Sequence, residues 1–243
     1  MNDYLLLRLY GSLASWGEIA VGEMRHSAAH PSRSALLGLL GAALGIERSD
    51  DAGQQGLAQG YRFGIKLEQA GMPLRDYHTV QVGTAPRKFS FRSRRQELAA
   101  EKVETMLSAR EYRCDSIALI AVEALPQAPC DLERLAAALR QPRFLLYLGR
   151  KSCPLALPLA PHCVQASSLR EAFDRAPPPH DWLKRVFQYG ASARQVRYYW
   201  EEGMEAGMQA SFDSWRHDQP LSRRRWQFAP RRESVALEEG GTR

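Results

Sequence analysis

The sequence predicts an α+β fold, because segments with the pattern of strands alternate along the chain with segments that have the pattern of helices. Three observations carry this prediction. The chain opens on a nearly all-apolar run at Tyr4–Tyr10, an apolar helical segment follows at Pro31–Ile46, and strand, strand, helix and strand patterns come after it. With 243 residues, of which 44% are hydrophobic, the chain can form one large domain or a domain with a smaller partner.

The first strand and the first helix have the clearest patterns. Tyr4–Tyr10 is short and apolar, as expected of a buried strand. The helix at Pro31–Ile46 carries no charge after Ser34, so we expect it to be buried on several sides. Ser32 or Ser34 is expected to cap it, because a serine oxygen can accept a hydrogen bond from the first turn. Its glycines are expected to permit close approach to a sheet; they are Gly38, Gly41 and Gly45.

Two further strands are predicted on either side of a long insertion. Glu47–Gly60 has the composition of a polar connector, and alternating apolar and polar residues then predict a half-buried strand at Tyr61–Glu68. The apolar run Ile117–Val122 predicts a buried strand. The insertion between them, roughly Gly71–Arg113, ends in a segment with a helical pattern, Gln96–Arg110.

A helix and a last strand complete the predicted order. Asp131 can cap a helix that ends at Arg140, and Phe144–Leu148 is predicted as the strand after it. The order strand–helix–strand–strand–helix–strand is the ferredoxin-like plan, which RNA-recognition (RRM) domains also use. Residues 1–160 are therefore predicted to form a ferredoxin-like part. Val196–Trp200 predicts a strand in a smaller β-rich C-terminal region, residues 161–243.

Composition excludes several classes of protein and favours a polyanionic partner. The net charge is +6 and the sequence pI is about 9.3. The four cysteines form no C-x-x-C pair, so a zinc knuckle or redox pair is not predicted, and reduced thiols are expected. His26 and His30 are four residues apart without a predicted helix, so we expect neither a metal nor a cofactor. With no signal peptide and no apolar run near the ~20 residues of a membrane span, a cytoplasmic protein is expected.

Two segments combine cations with aromatic rings. Arg87–Arg95 holds five basic residues among nine and no acid, with Phe89 and Phe91 between them. In an extended segment, such alternation would direct cations to phosphates and rings to bases, so nucleic-acid contact is predicted here. A second basic and aromatic cluster begins at Arg223–Arg225 and continues with Trp226.

One catalytic arrangement is conceivable from the residue types. Metal-free RNA cleavage needs a base near the 2′-hydroxyl, an acid for the leaving oxygen and a cation for the phosphorane. Tyr77, His78 and Lys88 are residues of these types. Alternatively, Tyr77 and His78 only stack or form hydrogen bonds at the root of the insertion. Their spacing in the sequence does not separate the two interpretations.

Five blocks of sequence, in order over about 150 residues, resemble the CasD family, the subunits that cap the backbone of type I-E CRISPR surveillance complexes (Cascade). This family belongs to the RAMP superfamily. The blocks are Leu5–Gly17, Pro31–Ile46, Leu74–Val80, Tyr112–Asp115 and Tyr147–Leu155. The resemblance implies a ferredoxin-like body with a β-hairpin thumb at about residues 74–113. It implies binding of the 5′ handle of CRISPR RNA, and contacts with backbone subunits and the large subunit. Target DNA would be read only indirectly, through the guide.

The resemblance also implies which residues contact RNA. Arginines, lysines and hydroxyls would bind the phosphates of the handle. Trp16 and Tyr77 would either stack on a splayed base or belong to the core. The implied residues are Ser12, Trp16, Arg25, Ser32, Arg33, Ser34, Tyr77, His78, Thr79, Arg87, Lys88, Arg92, Arg94, Arg150, Lys151 and Ser152.

A non-catalytic RNA-binding subunit is the function that the resemblance favours. In type I-E systems a separate nuclease cuts the repeat RNA, and the blocks of this sequence look like type I-E. A relative in type I-C systems resembles the same family and cuts repeat RNA with Tyr, Lys and His. A metal-independent endoribonuclease therefore stays as the alternative. A purely structural adaptor would leave the basic and aromatic insertion unexplained.

Overall fold

The computed structural model describes residues 1–85, 87–189 and 195–239. The fold is a mixed α/β arrangement with a large antiparallel sheet. The helices are α1 (Arg33–Leu44), α2 (Asp51–Gly60), α3 (Arg94–Leu98), α4 (Leu132–Arg140), α5 (Leu169–Asp174) and α6 (Asp181–Tyr189). The strands are β1 (Asn2–Tyr10), β2 (Leu13–Ala14), β3 (Trp16–Gly17), β4 (Met24–Arg25), β5 (Ser27–Ala28), β6 (Tyr61–Gln69), β7 (Met72–Gly83), β8 (Val103–Cys114), β9 (Ile117–Ala124), β10 (His162–Ala166), β11 (Gln195–Glu201), β12 (Phe212–Ser222) and β13 (Gln227–Glu239).

The main sheet has seven strands in the order β10-β1-β9-β6-β11-β13-β12, and every neighbouring pair is antiparallel. Leu7 pairs with Ile120, and Ile120 pairs with Ile65, so three apolar side chains lie side by side across the centre. The connections β1–α1–β6 and β9–α4–β10 each pass over one intervening strand. Both connections carry a helix, and these helices cover one face of the sheet.

Both faces of the sheet are covered, which explains why its central strands are almost entirely apolar. Leu5, Leu7 and Leu9 pack with α1 and α4 in one cluster. Tyr4 and Leu6 point to the opposite face and pack with α5 in another. The predicted strands at the beginning of the chain, at Tyr61–Glu68, at Ile117–Val122 and at Val196–Trp200 are confirmed as β1, β6, β9 and β11. No described helix combines the length and apolar character that a membrane span requires.

The apolar helix is confirmed as α1, but its glycines do not approach the sheet. Ser32 caps it, because its Oγ accepts a hydrogen bond from the Ala35 N–H at 3.2 Å, and Gly45 ends it in the left-handed conformation with φ 78°. The close approach at Gly41 is to α2 and not to the sheet. A Cβ atom at position 41 would lie 3.1 Å from Leu57 of α2.

Two segments after α1 differ from the prediction. Glu47–Gly60 is not only a connector, because α2 begins after its N-cap Asp50. Phe144–Leu148 is not a strand, and β10 takes the place predicted for it. The N–H of Phe144 donates instead to the Ala42 carbonyl at 2.9 Å, so this segment satisfies the C-terminal end of α1. Leu145 is 76% exposed, which a core strand would not allow.

The insertion is a long hairpin, formed by β7 and β8. Their register runs without interruption from Met72 opposite Cys114 to Gly83 opposite Val103. The helical prediction for Gln96–Arg110 is wrong, because pairing with β7 overrides the local helix preference over most of that range. The basic segment is not extended either. It forms the turn of the hairpin and leads into α3, and Phe89 packs edge-to-face on Phe91 at 5.3 Å.

The C-terminal strands extend the same sheet. β11 pairs with β6, and the β12–β13 hairpin follows at the edge. Strands from both sides of the predicted boundary at residue 160 are hydrogen-bonded into this sheet, since β10 pairs with β1. The division into residues 1–160 and 161–243 stays a prediction.

Candidate nucleic-acid interface

Two neighbouring clefts meet at Ser34, in the first turn of α1. The first has a volume of about 600 Å³ and lies between α1, the loop after α4 and the turn between β12 and β13. The second has a volume of about 800 Å³ and reaches Arg25. Ser34 and Trp226 line both clefts. We call the two clefts together the basic groove. Its cations are Arg25, Arg48, Lys151, Arg216 and Arg223.

The cations of the first cleft lack acidic partners. Within the described ranges, no carboxylate oxygen lies within 4.0 Å of the charged groups of Arg48, Lys151 or Arg223. The Arg223 guanidinium donates to the Ser34 carbonyl, and Arg48 lies over the Trp226 ring at 4.7 Å. Burial lowers the pKa of Arg223, and the positive charge of Arg48 lowers it further. Glu47 also lines this cleft, so three cations face one carboxylate, and this excess of positive charge suits a polyanion.

Lys151 reaches the first cleft from a tight turn. The turn begins at Gly149, which has φ 84°, and the Leu148 carbonyl accepts a hydrogen bond from the Ser15 N–H at 3.0 Å. Trp16 packs beside this turn and is buried, so its ring belongs to the core and does not face RNA. Trp16 therefore acts as a support for the turn that presents Lys151.

Replacing Gly149 by alanine is expected to destabilise the protein by about 2 kcal/mol, because the left-handed conformation disfavours a Cβ atom. That atom would also lie 1.9 Å from the Ser15 carbonyl oxygen. Urea unfolding of Gly149→Ala measures the loss, and Gly17→Ala is the matched control, since a Cβ there meets nothing within 4 Å. Equal unfolding midpoints for the two variants would contradict this geometry.

The neighbours of Lys151 have different environments. The Arg150 guanidinium lies over the Tyr112 ring at 4.9 Å, so it braces the root of the long hairpin. Ser152 is exposed at the end of the turn. Ser12 is also exposed, and its carbonyl accepts a hydrogen bond from the Asp115 N–H at 3.3 Å.

Two predicted phosphate ligands are not accessible. The Oγ of Ser32 is buried and occupied by the helix cap. Arg33 is only 5% exposed, and its guanidinium forms an ion pair with Glu201. It also donates to the carbonyls of Ala58 and Tyr61, at 2.7 and 3.0 Å. Both side chains are used in folding, so phosphate binding by Ser32 and Arg33 stays a prediction that this structure does not favour.

Buried polar contacts fasten the β12–β13 hairpin to the start of α1. The carboxylate of Asp218 accepts from the Arg33 N–H at 2.8 Å and from the Arg231 guanidinium at 2.6 Å. Glu233 contacts Arg231 at 2.7 Å and His30 at 2.9 Å. Burial opposes the charge of Glu233, but His30 and the guanidinium of Arg231 outweigh it and lower its pKa to about 2. These contacts hold one wall of the basic groove in place.

The exposed residues of the long hairpin do not form a catalytic group. Adjacent residues of a strand point to opposite faces, so Tyr77 and His78 face away from each other. Tyr77 is 62% exposed, whereas the His78 Nε2 atom lies 2.6 Å from the Asp76 carboxylate. Lys88 lies beyond the end of β7, in the turn of the hairpin. The structure therefore does not bring Tyr77, His78 and Lys88 together as the endoribonuclease alternative requires.

The remaining predicted contacts are distributed over the surface of the hairpin. Thr79 is exposed on the same face as Tyr77. The four cations predicted at the turn of the hairpin are exposed, as is Arg95 beside them, and one of the four, Arg94, pairs with Glu97 at 2.7 Å. The four are Arg87, Lys88, Arg92 and Arg94. These residues form a second basic surface, separate from the residues that line the groove.

The two histidines that are four residues apart contact different acids. His26 lies 3.2 Å from Glu111 and His30 lies 2.9 Å from Glu233. In the described part of the chain, no three metal-ligating side chains come together.

Three residues of the basic groove were assigned no role from the sequence. Arg223 and Trp226 belong to a cluster that the residue pattern indicates, but the resemblance assigns it no role. Their position opposite Lys151 depends on the pairing of the C-terminal strands with the sheet. Arg48 stands alone in a polar segment, so its sequence context carries no signal.

Comparisons with known proteins agree with this architecture. A family model described as CRISPR-associated protein (Cas_Cas5) matches residues 4–233. The CRISPR system Cascade subunit CasD of Escherichia coli (strain K12) is 36% identical over 180 residues, covering 71% of this chain and 76% of that protein. A chain of a solved CRISPR RNA-guided surveillance complex aligns with a TM-score of 0.67 and 25% identity, covering 97% and 90% of the two chains. A crystal structure of a Cas protein aligns with a TM-score of 0.56 and 25% identity, covering 97% and 94%. The predicted resemblance to CasD is confirmed, and the chain belongs to the Cas5 family of CRISPR-associated proteins.

Proposed function

We propose that this chain is a non-catalytic subunit of a Cascade surveillance complex that binds the 5′ handle of CRISPR RNA in the basic groove. One observation carries the proposal: Arg48, Lys151 and Arg223 line one cleft beside the exposed ring of Trp226, and none of them pairs with a carboxylate of the residues that the structure describes. Cations without counter-charges next to an aromatic ring suit a single-stranded nucleic acid. The similarity to CasD, a Cascade subunit in its own organism, supports this choice of polyanion.

The topology supports a ferredoxin-like body. The strands β10-β1-β9-β6 and the two helical connections follow the order of that plan. The long hairpin would then be the thumb, inserted between the second and third strands of the body. In this arrangement the basic groove lies on the body. The four predicted cations at the tip of the long hairpin lie on the thumb.

The long hairpin also suits contacts with other subunits. Val80 and Met106 are paired across it, so they share one face, and both are exposed. We propose that this apolar surface meets an adjacent backbone subunit, and that the chain also contacts the large subunit. Target DNA would be bound only indirectly, through pairing with the guide. The site of action would be the cytoplasm.

The separation of Tyr77, His78 and Lys88 favours binding over cleavage. A general base and a general acid must both lie within hydrogen-bond reach of the reacting atoms. Tyr77 and His78 face opposite sides of the hairpin, so they cannot contact one phosphodiester together without rebuilding β7.

The full chain is expected to shift repeat RNA on a native gel in EDTA and to leave it intact on a denaturing gel. The RNA is labelled and carries the CRISPR repeat of the host. Binding should weaken with salt, with a log–log slope near −0.7 for each neutralised phosphate. A slope near zero would contradict a phosphate-binding groove.

Two controls separate binding from cleavage. RNA without the 5′ handle should shift at higher protein concentrations than the complete repeat. His78→Ala should leave both gels unchanged. A discrete cut in EDTA that disappears in His78→Ala would establish the endoribonuclease instead.

A further inference from the structure

Trp226 occupies a backbone conformation that disfavours its side chain. It ends the turn between β12 and β13 with φ 55°, in the left-handed region where glycine and asparagine are the usual residues. The ring is also 58% exposed, so burial does not explain its presence. A bulky residue held in such a conformation indicates a requirement other than the stability of the turn.

The surroundings of the ring leave room for a ligand. Arg48 lies over the ring at 4.7 Å, and Phe228 packs against it edge-to-face at 5.4 Å. The rest of the ring lines both clefts, whose volumes of about 600 and 800 Å³ are in the range of ligand sites. Trp226 therefore stands at the junction of two clefts, where a strand that runs along the groove must pass.

The charges near the ring select the class of ligand. Arg223 and Lys151 line the same cleft. Gly38 of α1 also lines it, and as a glycine it has no side chain that would fill the cleft. A Cβ atom at position 38 would lie 3.7 Å from the Arg223 guanidinium. An exposed ring, a guanidinium over it, and two cations that pair with no carboxylate of the described residues fit an unpaired nucleotide, whose base stacks and whose phosphate accepts hydrogen bonds.

We propose that one nucleobase of the bound RNA stacks on Trp226, and that Arg223 and Lys151 bind the phosphates beside it. This inference rests on the proposed function and adds a positioning residue in the C-terminal hairpin. Stacking accepts any base, so Trp226 fixes the register of the RNA in the groove. Arg48 holds the ring in place from one side.

Binding of the full chain to a series of repeat RNAs, each with one abasic nucleotide, tests the proposal. In the wild type, one abasic position should lower the affinity by about 5-fold to 100-fold. Trp226→Asn should lose a similar factor with intact RNA and become insensitive to that abasic position. Trp226→Phe should keep most of the affinity, because a ring remains. Phe212→Asn is the matched control, since Phe212 is exposed and lies outside the groove.

The variants also separate this proposal from the proposed function. Asparagine tolerates the left-handed conformation, so Trp226→Asn should melt at or above the wild-type temperature. Suppose that Trp226→Asn binds intact RNA like the wild type while reversal of the groove charges abolishes binding. The stacking proposal is then wrong, and the proposal that the groove binds RNA still holds. If Trp226→Asn loses affinity but keeps the wild-type abasic profile, Trp226 does not stack on a base. If the wild type binds no repeat RNA, the proposed function itself fails.

Discussion

Reversing two charges of the basic groove, with Arg48→Glu and Lys151→Glu together, is expected to lower the affinity for repeat RNA by about 100-fold or more. Each substitution replaces a cation of the groove by a carboxylate, so attraction to the RNA phosphates is lost and repulsion is added. Each such change is of the order of 1–2 kcal/mol. The two side chains line the same cleft, so both changes act on one length of RNA. Titration of fluorescent repeat RNA at fixed salt measures the loss.

The matched control changes the net charge by the same amount at another surface. Arg134 on α4 and Arg185 on α6 are exposed and lie outside the groove, so Arg134→Glu with Arg185→Glu should reduce the affinity much less. The groove variant should also have a shallower salt dependence, because fewer phosphates are neutralised. Equal losses for both pairs would show that only the overall charge attracts RNA, and would remove the case for the groove.

Arg33→Met is expected to lower the free energy of unfolding by about 3–5 kcal/mol, the usual result of removing one partner of a buried ion pair. The substitution leaves the carboxylate of Glu201 buried without its nearest cation and deprives two backbone carbonyls of their donor. For a chain of this length, that loss corresponds to a fall in Tm of about 10 °C. A melting temperature within about 1 °C of the wild type would contradict the buried pair.

The pH dependence of the stability of Arg33→Met shows whether the unpaired carboxylate of Glu201 causes the loss. Burial already raises the pKa of Glu201, and Arg33 opposes that rise. Without Arg33 the folded-state pKa rises further, so the folded state binds a proton more readily than the unfolded state as the pH falls. The destabilisation should therefore be smaller at about pH 5 than at about pH 8. Glu201→Gln in the Arg33→Met background should recover part of the lost stability and remove this pH dependence.

The fold could be predicted from the sequence where the apolar residues of one segment were enough to show whether it forms a strand or a helix. β1, β6 and β9 lie in the centre of a sheet that is covered on both faces, so their patterns are strong. Phe144–Leu148 has a similar composition, but the Phe144 N–H donates to the end of α1, and the backbone of Leu148 bonds to Cys153 and Ser15. A run of five apolar residues does not reveal which partner its N–H groups will find.

The site could be predicted less well from the sequence. Whether a cation is buried in an ion pair or available to a ligand depends on residues that are distant in the sequence. Arg33 and Lys151 are both cations in blocks that resemble CasD, yet one is buried and the other lines the groove. The difference depends on Glu201, which is 168 residues away from Arg33 in the sequence. Local pattern contains no information about such a pairing, and the same holds for the approach of Trp226 to Arg48.

The attachment of the β12–β13 hairpin to α1 has a consequence for biosynthesis. Contacts between these elements join residues that are 185 to 203 positions apart, as in Arg33 with Asp218 and His30 with Glu233. The residues of α1 emerge from the ribosome before Arg223 and Trp226 are synthesised. A nascent or truncated chain that ends before β11 lacks one wall of the groove. The proposed nucleotide-binding surface is therefore complete only after the β12–β13 hairpin has been synthesised, so that a chain without this hairpin has no complete groove to offer to RNA.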